Sequence, residues 1–239
     1  MPTRLGVIEL RQYRLQPGVR ERFVALFDSE LAQPQEAAGI RLLGRFQDLD
    51  RPDAFVWLRG FRDMASRAGA LHEFYFGSVW AQHRQTANAM MRDSDDVLLL
   101  EPCERGPVGV ADHAGPGALY VEICELAPAA SEDYLERYQH AVAPVLAAAG
   151  AHPVGALQTL HAVNTFPRLP VRESVNVAVT LTCYSSTSRA ATVSRRPEVV
   201  AASAALAAAA GVTPQRLRLV PTPASAPARL AEAMHDVFA

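Results

Sequence analysis

The sequence has 239 residues, of which 49% are hydrophobic and 20% are charged, and its formal net charge is -2 at pH 7. Its 23 basic residues, all of them arginines, are scattered, so no basic face for nucleic acid is expected. No apolar run reaches the roughly 18 residues that a membrane-spanning helix needs. The cysteines lie far apart without a C-x-x-C pair, which favours a reducing compartment: Cys103, Cys124 and Cys183. We therefore expect a cytoplasmic protein that binds neither nucleic acid nor a membrane.

The first predicted element is a strand over residues 5–15, where apolar and polar side chains alternate. Pro17-Gly18 then opens an amphipathic helix with an apolar stripe at spacings of three and four residues. Pro34 is expected to kink or end this helix, and Gly39 is expected to cap its C-terminus.

A hairpin and a helical region complete the first half. Strands are predicted over residues 40–47 and 54–61, and the Asp50–Asp53 turn between them indicates the hairpin. A helical region follows over about residues 63–91. Val97–Leu100 then reads as a short, fully buried strand.

The second half repeats the order of the first. The Ala-Ala-Gly triplet that ends at Gly39 recurs at Gly150, again after a strand-like run and an amphipathic helix. The further predicted elements are strands at 118–126, about 154–163, about 174–184 and Leu217–Val220, with an Ala-rich helix at about 188–210 before the last strand.

The duplication predicts an α+β fold. Each half is typical of a ferredoxin-like β-α-β-β-α-β unit, whose sheet carries helices on one face only. Two such sheets packed face to face within one chain make an α+β barrel, and the space between the sheets is the expected pocket. The predicted divisions are residues 1–102, a Gly- and Pro-rich linker at 103–117, a second half at 118–222, and a spacer with a C-terminal helix at 223–239.

Polar side chains that alternate inside apolar strands are the first candidate site. If Ile8, Leu10, Val56 and Leu58 face the helices, the polar residues face the pocket between the sheets. That face carries Glu9, Arg11, Tyr13, Phe55, Trp57, Arg59 and Phe61 in the first half, and Tyr120, Glu122, Asn176, Thr180, Thr182 and Tyr184 in the second. Glu9 is expected to pair with Arg11, Arg45 or Arg59, because buried charges must be paired or hydrated. The alternative is an interlocked interior without a substrate.

The second candidate site is the segment 72–92. If this segment is one helix, its aromatic and histidine side chains share a face: His72, Phe76, Val79, His83, Thr86 and Met90, with Trp80 beside them. His83 could then act as a general base near neutral pH, with Arg84 or Arg59 holding an oxyanion. The alternative is that His83 is an ordinary core histidine. His72 and His83 are too far apart along a helix to share a metal ion.

Other chemistries find little support in the sequence. It contains no H-E-x-x-H, C-x-x-C, P-loop or G-x-S-x-G motif, so no metal site and no cofactor are predicted. One of the isolated histidines could ligate a haem iron in a barrel cavity, and haem stays an alternative. These histidines are His113, His140, His152 and His161.

The first half resembles the NIPSNAP family over about residues 5–102. The resemblance rests on V-I-E-L-R-Q-Y-R-L-Q-P at Val7–Pro17, A-A-G-I at Ala37–Ile40, F-V-W-L-R-G-F at Phe55–Phe61, D-S-D-D-V-L-L-L at Asp93–Leu100, and the string Phe74-Tyr75, Trp80, His83-Arg84, Ala87-Asn88. Residues 118–222 match only in pattern. The resemblance implies a dimeric α+β barrel fold and no shared reaction; barrels of this kind include cofactor-independent monooxygenases and haem enzymes.

Two functions are consistent with these patterns. The first is a tailoring enzyme of small-molecule biosynthesis, independent of a cofactor, acting on an apolar aromatic or polyketide-like ligand. Its catalytic candidates are His83, Arg59 and Arg45. Its ligand-binding candidates are Glu9, Tyr13, Trp57, His72, Tyr75, Phe76, Trp80, Arg84, Asn176 and Tyr184. The second is a non-catalytic binding or scaffold protein that self-associates, with an apolar C-terminal helix as a candidate dimer arm: Leu230, Met234, Val237 and Phe238.

Overall fold

Eight strands and the helices between them follow the same order in the two halves of the chain. A computed structural model describes residues 4–103, 117–128 and 130–225. The first half contains β1 (Val7–Leu15), α1 (Arg20–Leu26), a π turn (Phe27–Leu31), α2 (Ala32–Ala37), β2 (Arg41–Asp48), β3 (Ala54–Phe61), α3 (Met64–Phe76), α4 (Ser78–Met90) and β4 (Met91–Pro102). The second half contains β5 (Ala118–Glu125), α5 (Ser131–Arg137), a π turn (Tyr138–Val142), α6 (Ala143–Ala148), β6 (His152–Thr159), β7 (Val177–Tyr184), α7 (Thr187–Val193), α8 (Pro197–Ala210) and β8 (Gln215–Pro221).

The strands form one closed antiparallel barrel in the order β1-β3-β2-β8-β5-β7-β6-β4. Each half supplies four neighbouring strands in the ferredoxin-like order, so the predicted α+β barrel within one chain is confirmed. The halves join edge to edge at two seams, where β2 pairs with β8 and β4 pairs with β6. Both seams are short, with three residue pairs each.

The barrel interior is filled by apolar side chains, most of them aliphatic. One buried apolar cluster contains residues from all eight strands and, among the described residues, none from a helix; examples are Ile8, Leu10, Val56 and Leu58. The expected orientation of the first-half sheet is therefore wrong, because these four side chains point into the barrel rather than toward the helices. An eight-stranded barrel is only wide enough for its own side chains to fill, and aliphatic groups do so without unpaired polar atoms.

The polar face of each sheet consequently lies under the helices. Tyr13, Phe55 and Trp57 belong to a second buried cluster that includes residues of α1, α2, α3 and α4. Tyr184 belongs to a third cluster with residues of α5, α6 and α8. The candidate sites are therefore to be sought between sheet and helices, outside the barrel.

A π turn precedes a proline in both copies of the first long helix. Phe27–Leu31 comes before Pro34, and Tyr138–Val142 comes before Pro144. Proline lacks an N–H and its ring collides with the carbonyl group four residues earlier, and the wider π turn relieves both problems. The irregularity predicted for this helix near Pro34 is therefore a π turn. Gly39 has a φ of 90°, as its predicted role as a C-terminal cap requires.

The predicted long helices over residues 63–91 and 188–210 are each two helices. Gly77 separates α3 from α4 with an extended ψ of 163°, and a Cβ atom there would lie 2.9 Å from the Glu73 carbonyl oxygen. Pro197 begins α8 after a break that follows α7. The stripe from His72 to Met90 is therefore not one helix face.

Each half also covers part of the other. The hairpin turn after β2 places Asp50 next to Arg218 of β8. The longer segment between β6 and β7 buries Phe166 in the apolar cluster of the first half. No helix in the described part of the chain is long and apolar enough to cross a membrane. The expected linker falls almost entirely outside the described residues, as does the C-terminal helix with Leu230, Met234, Val237 and Phe238.

Candidate functional site

Four fully buried charged side chains meet on the helix side of the first-half sheet. Glu9 and Arg11 come from β1, Arg59 from the adjacent position of β3, and Arg67 from α3 above them. Each of the four is at most 1% exposed. We call these four residues the arginine cluster.

Glu9 is the common partner of the three guanidinium groups. Arg11 Nη1 donates to Glu9 Oε2 at 2.6 Å, Arg59 Nε donates to the same oxygen at 2.7 Å, and Arg67 Nε donates to Glu9 Oε1 at 2.6 Å. Burial alone would raise the pKa of Glu9, but Arg59, Arg11 and Arg67 together hold it far below its ordinary value. Glu9 is therefore ionised and cannot serve as a proton donor near neutral pH.

Aromatic rings surround the arginine cluster. The Trp57 ring lies 5.0 Å from Arg59 Cζ and 5.6 Å from Arg11 Cζ, within the range of cation–π attraction. Tyr13 packs edge-on against Trp57 and accepts a hydrogen bond from Arg11 Nε at 3.1 Å. Four predicted site residues, Glu9, Tyr13, Trp57 and Arg59, are thus brought together.

The aromatic residues predicted around α3 and α4 form an outer layer. Tyr75 packs edge-on against Trp80 with ring centroids 5.1 Å apart, and Phe166 from the second half lies 5.8 Å from Tyr75. His72 stacks on Phe76, which is 55% exposed. This layer borders the first-half core on one side and solvent on the other.

His83, Arg84 and Arg45 have surroundings of their own. His83 Nε2 lies 3.6 Å from Glu30, and Arg84 is exposed. Arg45 Nε donates to Asp28 of the first π turn at 2.6 Å, and its Nη2 donates to the Ala224 carbonyl. These contacts anchor the chain after β8 to the first half, and none of them joins Arg45 or His83 to Arg59.

Asn176 makes hydrogen bonds that hold elements of the fold together. Its Nδ2 donates to the Ala127 carbonyl at 2.7 Å, and its Oδ1 accepts from the Ser131 hydroxyl at 3.1 Å. Asn176 therefore holds the start of α5 against the segment that leads into β7. Tyr184, the other predicted residue of the second half, lies in a different place.

Tyr184 lines a cavity of about 490 Å³ between the second-half sheet and its helices. We call it the second-half cavity. Its polar lining on the sheet comes from β5, β7 and β8, and α8 supplies small side chains such as Ser203 and Ala204. The sheet and helix residues that define it are Tyr120, Glu122, Tyr138, Thr180, Thr182 and Tyr184. Its volume is in the usual range for a small-molecule site.

Three tyrosines give the second-half cavity aromatic walls with polar ends. Tyr120 and Tyr184 pack with ring centroids 4.9 Å apart. Burial raises the pKa of Tyr138 to about 12 and also raises the pKa of Tyr184, so both hydroxyls stay protonated at neutral pH. The buried Tyr138 hydroxyl lacks a well-aligned hydrogen-bond partner, with Thr180 and Thr182 as polar neighbours. Its hydrogen is therefore not committed to a well-aligned acceptor among the described residues.

Two ion pairs mark the polar side of this cavity. Arg216 Nε donates to Glu122 at 2.7 Å, and Arg218 Nε donates to Asp50 of the first half at 2.8 Å. Each cation is matched by a carboxylate, so these pairs bring no net charge to the lining. Glu122, from β5, is the carboxylate that the second-half sheet itself contributes to the described lining.

Several site residues were not predicted from the sequence. Arg67 shares a buried helix face with Leu71 and Phe74, a spacing of four and three that could have flagged it. Arg216 and Arg218 alternate with Leu217 and Leu219 along β8, and this pattern places both arginines on the helix side. Tyr138 carries no local signal, because it reads as one more apolar position of an amphipathic helix.

The described part of the chain lacks the clustered ligands that a metal ion needs. There, no group of three or more His, Cys, Asp or Glu side chains is placed to hold a metal ion. No histidine is among the described residues that line the second-half cavity, so a haem iron would find no histidine ligand there. His113 lies outside the described residues.

Solved structures share this arrangement over most of the chain. A "putative monooxygenase" from Lactobacillus acidophilus NCFM is 13% identical, with a TM-score of 0.58 over 90% of this chain and 93% of that one. Another from Fusobacterium nucleatum is 7% identical, with a TM-score of 0.58 over 91% and 93%. An "anthrone oxidase-like protein" is 10% identical, with a TM-score of 0.54 over 91% of each chain. The fold is thus that of the α+β barrels.

The first half can be assigned more closely. Residues 8–103 match the model of the NIPSNAP family, so this part of the chain is a NIPSNAP domain, as the sequence resemblance implies. The match ends where β4 ends, and β5–β8 supply the other half of the barrel. No curated protein matches the sequence of the chain.

Proposed function

We propose that the protein is an enzyme of small-molecule biosynthesis that binds an aromatic, polyketide-like carbonyl compound in the second-half cavity. The observation that carries the proposal is the cavity itself, about 490 Å³ with tyrosine walls and hydroxyl donors. A cavity of this size suits a molecule of two or three fused rings. The predicted ligand class is kept, but its place moves from the barrel interior, which side chains fill, to the space under α8.

The lining suits stabilisation of an enolate or phenolate. The protonated hydroxyls of Tyr138 and Tyr184 would donate to a carbonyl oxygen as negative charge develops on it. Glu122 would accept a proton from the activated carbon or hydroxyl of the ligand, with Arg216 holding the carboxylate in place. No cofactor is needed for this proton transfer.

The names of the solved neighbours indicate which reaction to test first. Two are described as putative monooxygenases and one as anthrone oxidase-like. Anthrone has a CH₂ group made acidic by its conjugated carbonyl, and its deprotonated form is electron-rich. With dioxygen as the oxidant, oxidation of that CH₂ group to a ketone consumes one O₂ and releases one water.

A cavity-filling variant tests the proposal. Wild-type protein is mixed with anthrone, and oxygen uptake and the shift in Tm are measured. Ser203→Phe places a ring in the cavity and is expected to reduce kcat/KM by at least about tenfold, because it competes with the ligand for the same space. Ala208→Phe, on the exposed side of α8, is the matched control and should behave as wild type.

Two results would overturn the proposal. One is anthrone producing neither oxygen uptake nor a shift in Tm with the wild-type protein. The other is Ser203→Phe retaining both. The assay also decides the competing assignment of catalysis to His83, Arg59 and Arg45: His83→Ala should leave turnover unchanged if the second-half cavity is the active site, and should abolish it if the first half is.

A non-catalytic scaffold is the second candidate function. The filled barrel interior favours this function. The sequence predicted a ligand pocket between the sheets, but that space holds apolar side chains. On this alternative the chain self-associates through residues after β8. Sedimentation of the full chain and of a chain ending at Pro221 tests it: equal protomer numbers would contradict the proposed dimer arm.

A further inference from the structure

The arginine cluster holds more positive charge than its one carboxylate balances. Arg11, Arg59 and Arg67 surround Glu9, and all four side chains are buried. Their other polar partners are neutral: Gln35, Asn164, Thr165 and the Tyr13 hydroxyl. Among the contacts that the structure describes, two positive charges therefore lack a carboxylate. Unpaired buried charge is costly, so a counter-charge is expected.

Tyr13 does not supply the missing negative charge. Burial raises the pKa of the Tyr13 phenol above its ordinary value, although the neighbouring Arg11 lowers it. The phenol is therefore neutral near pH 7. For Arg67, burial lowers the pKa of the guanidinium and Glu9 opposes this effect, while Arg59 and Arg11 add to the lowering. The neutral Tyr13 phenol thus leaves the positive charge of the arginine cluster unbalanced.

Two buried donors in the cluster have no acceptor. Arg67 Nη2 and Trp57 Nε1 are inaccessible to solvent and make no hydrogen bond to the described residues. Arg59 Nη2 lies 2.7 Å from Glu9 Oε2 but without hydrogen-bond alignment. Trp57 lies against both Arg59 and Arg11. One unused donor thus belongs to a ring beside Arg59 and Arg11, and the other belongs to the third guanidinium group of the arginine cluster.

We propose that the arginine cluster binds one small carboxylate ion, with Arg67, Arg59 and Trp57 as its donors. A guanidinium group presents parallel N–H bonds that match the two oxygens of a carboxylate. A planar anion also suits a cluster packed against the Trp57 and Tyr13 rings. This site is distinct from the second-half cavity, and the proposal does not depend on the function proposed for that cavity.

The second half supplies the cover of the site. Arg67 Nη1 donates to Asn164 Oδ1 at 3.1 Å and to the Thr165 hydroxyl at 3.2 Å. Phe166, the next residue, is buried in the first-half cluster. The segment between β6 and β7 thus closes over Arg67, and a bound carboxylate would be held beneath it.

Thermal unfolding in a zwitterionic buffer tests the proposal. Sodium acetate and sodium benzoate are compared with sodium chloride and sodium phosphate at equal ionic strength. Either carboxylate should raise Tm by several degrees in a saturable way, because a ligand that binds only the native state stabilises it. Chloride and phosphate should produce only the small effect of ionic strength.

An internal carboxylate should remove the response. Gln35 is buried and its Oε1 accepts from Arg59 Nη1, so Gln35→Glu places a negative charge in the cluster. This variant should lose the carboxylate-dependent rise in Tm. Gln33→Glu is the matched control, because Gln33 is exposed on the same helix, and it should respond as the wild type does.

Saturation-transfer NMR with acetate gives a direct measure of binding. Wild-type protein and the exposed control Arg62→Met should show the transfer, and Arg67→Met should not. If Arg67→Met does not fold, the Gln35→Glu comparison decides. The proposal is overturned if Gln35→Glu responds like the wild type, if chloride or phosphate acts as strongly as acetate, or if no salt raises Tm, in which case water satisfies the donors.

Discussion

The two halves of the barrel share a backbone plan and differ in what lies between sheet and helices. The register of the strands places Tyr120 where the first half has Glu9, and Thr182 where it has Arg59. The first half fills this layer with arginines and aromatic rings, and the second half leaves a cavity of about 490 Å³. The two copies of the fold thus differ in how much of this layer their own side chains occupy.

The source of the difference is side-chain volume. Trp57 on β3 is matched by Thr180 on β7, since Trp57 pairs with Arg11 of β1 and Thr180 pairs with Glu122, the equivalent residue of β5. The covering helix α8 is rich in alanine, whereas α4 carries larger residues. Smaller side chains on both walls leave the space that the second half does not fill.

The largest effect is expected from removing the one carboxylate of the arginine cluster. Glu9→Ala leaves three buried guanidinium groups without their carboxylate and should lower the free energy of unfolding by about 3–5 kcal/mol or more. Urea unfolding measures it. Asp133→Ala, which breaks the exposed pair with Arg137, should cost only about 0–1 kcal/mol. Equal losses of stability in the two variants would mean that the buried ion pairs of the arginine cluster contribute no more than one exposed pair.

Filling the same layer in each half should cost different amounts of stability. Ala87 on α4 is 1% exposed, and Ala87→Phe should destabilise by about 1–3 kcal/mol because Ala87 is enclosed in the apolar cluster of the first half. Ser203→Phe on α8 should cost less, because its ring enters the second-half cavity. Chemical unfolding of both variants compares them. A greater loss for Ser203→Phe would contradict the contrast between the halves.

Acid should weaken the contribution of Glu9. Its pKa is far below the value of about 4.3 in the unfolded chain, so the unfolded state takes up a proton first as the pH falls. The stability that Glu9 contributes is complete above about pH 5 and decreases by up to about 1.4 kcal/mol per pH unit below about pH 4. Glu9→Gln lacks this dependence, so its stability gap from the wild type should narrow in acid. A constant gap from pH 7 to pH 3 would contradict the ion pairing.

The smallest effect is expected at the contact between the hairpin turn and the cavity. Asp50 and Arg218 are both more than 40% exposed, and exposed pairs contribute about 0–1 kcal/mol. Asp50→Asn should therefore change stability little, and the change should shrink further at high salt. Unfolding at low and high salt measures this. A loss above about 2 kcal/mol would show that this contact holds the halves together.

The sequence predicts the repeated elements well. The strand expected at 54–61 coincides with β3, and Gly39 takes the left-handed conformation that its capping role requires. These features follow from local alternation and backbone sterics, which act within a few residues. The ferredoxin-like order of each half follows from the duplication.

The orientation of the sheets and the position of the site could not be predicted from local sequence patterns. Alternation separates Ile8 and Leu10 from Glu9 and Arg11, but it does not say which face meets the helices. That choice is set by closure of the barrel, a property of all eight strands. Likewise, Asn164 and Phe166 reach the first half across about a hundred residues of sequence, and no local pattern encodes such a contact.

A crystal structure of the protein soaked with anthrone tests the central claim most directly. The account predicts ligand density between α8 and the sheet, in contact with Tyr138 and Tyr184, and a barrel interior occupied only by side chains. Ligand density inside the barrel, among Leu10, Leu58 and Val179, would contradict it.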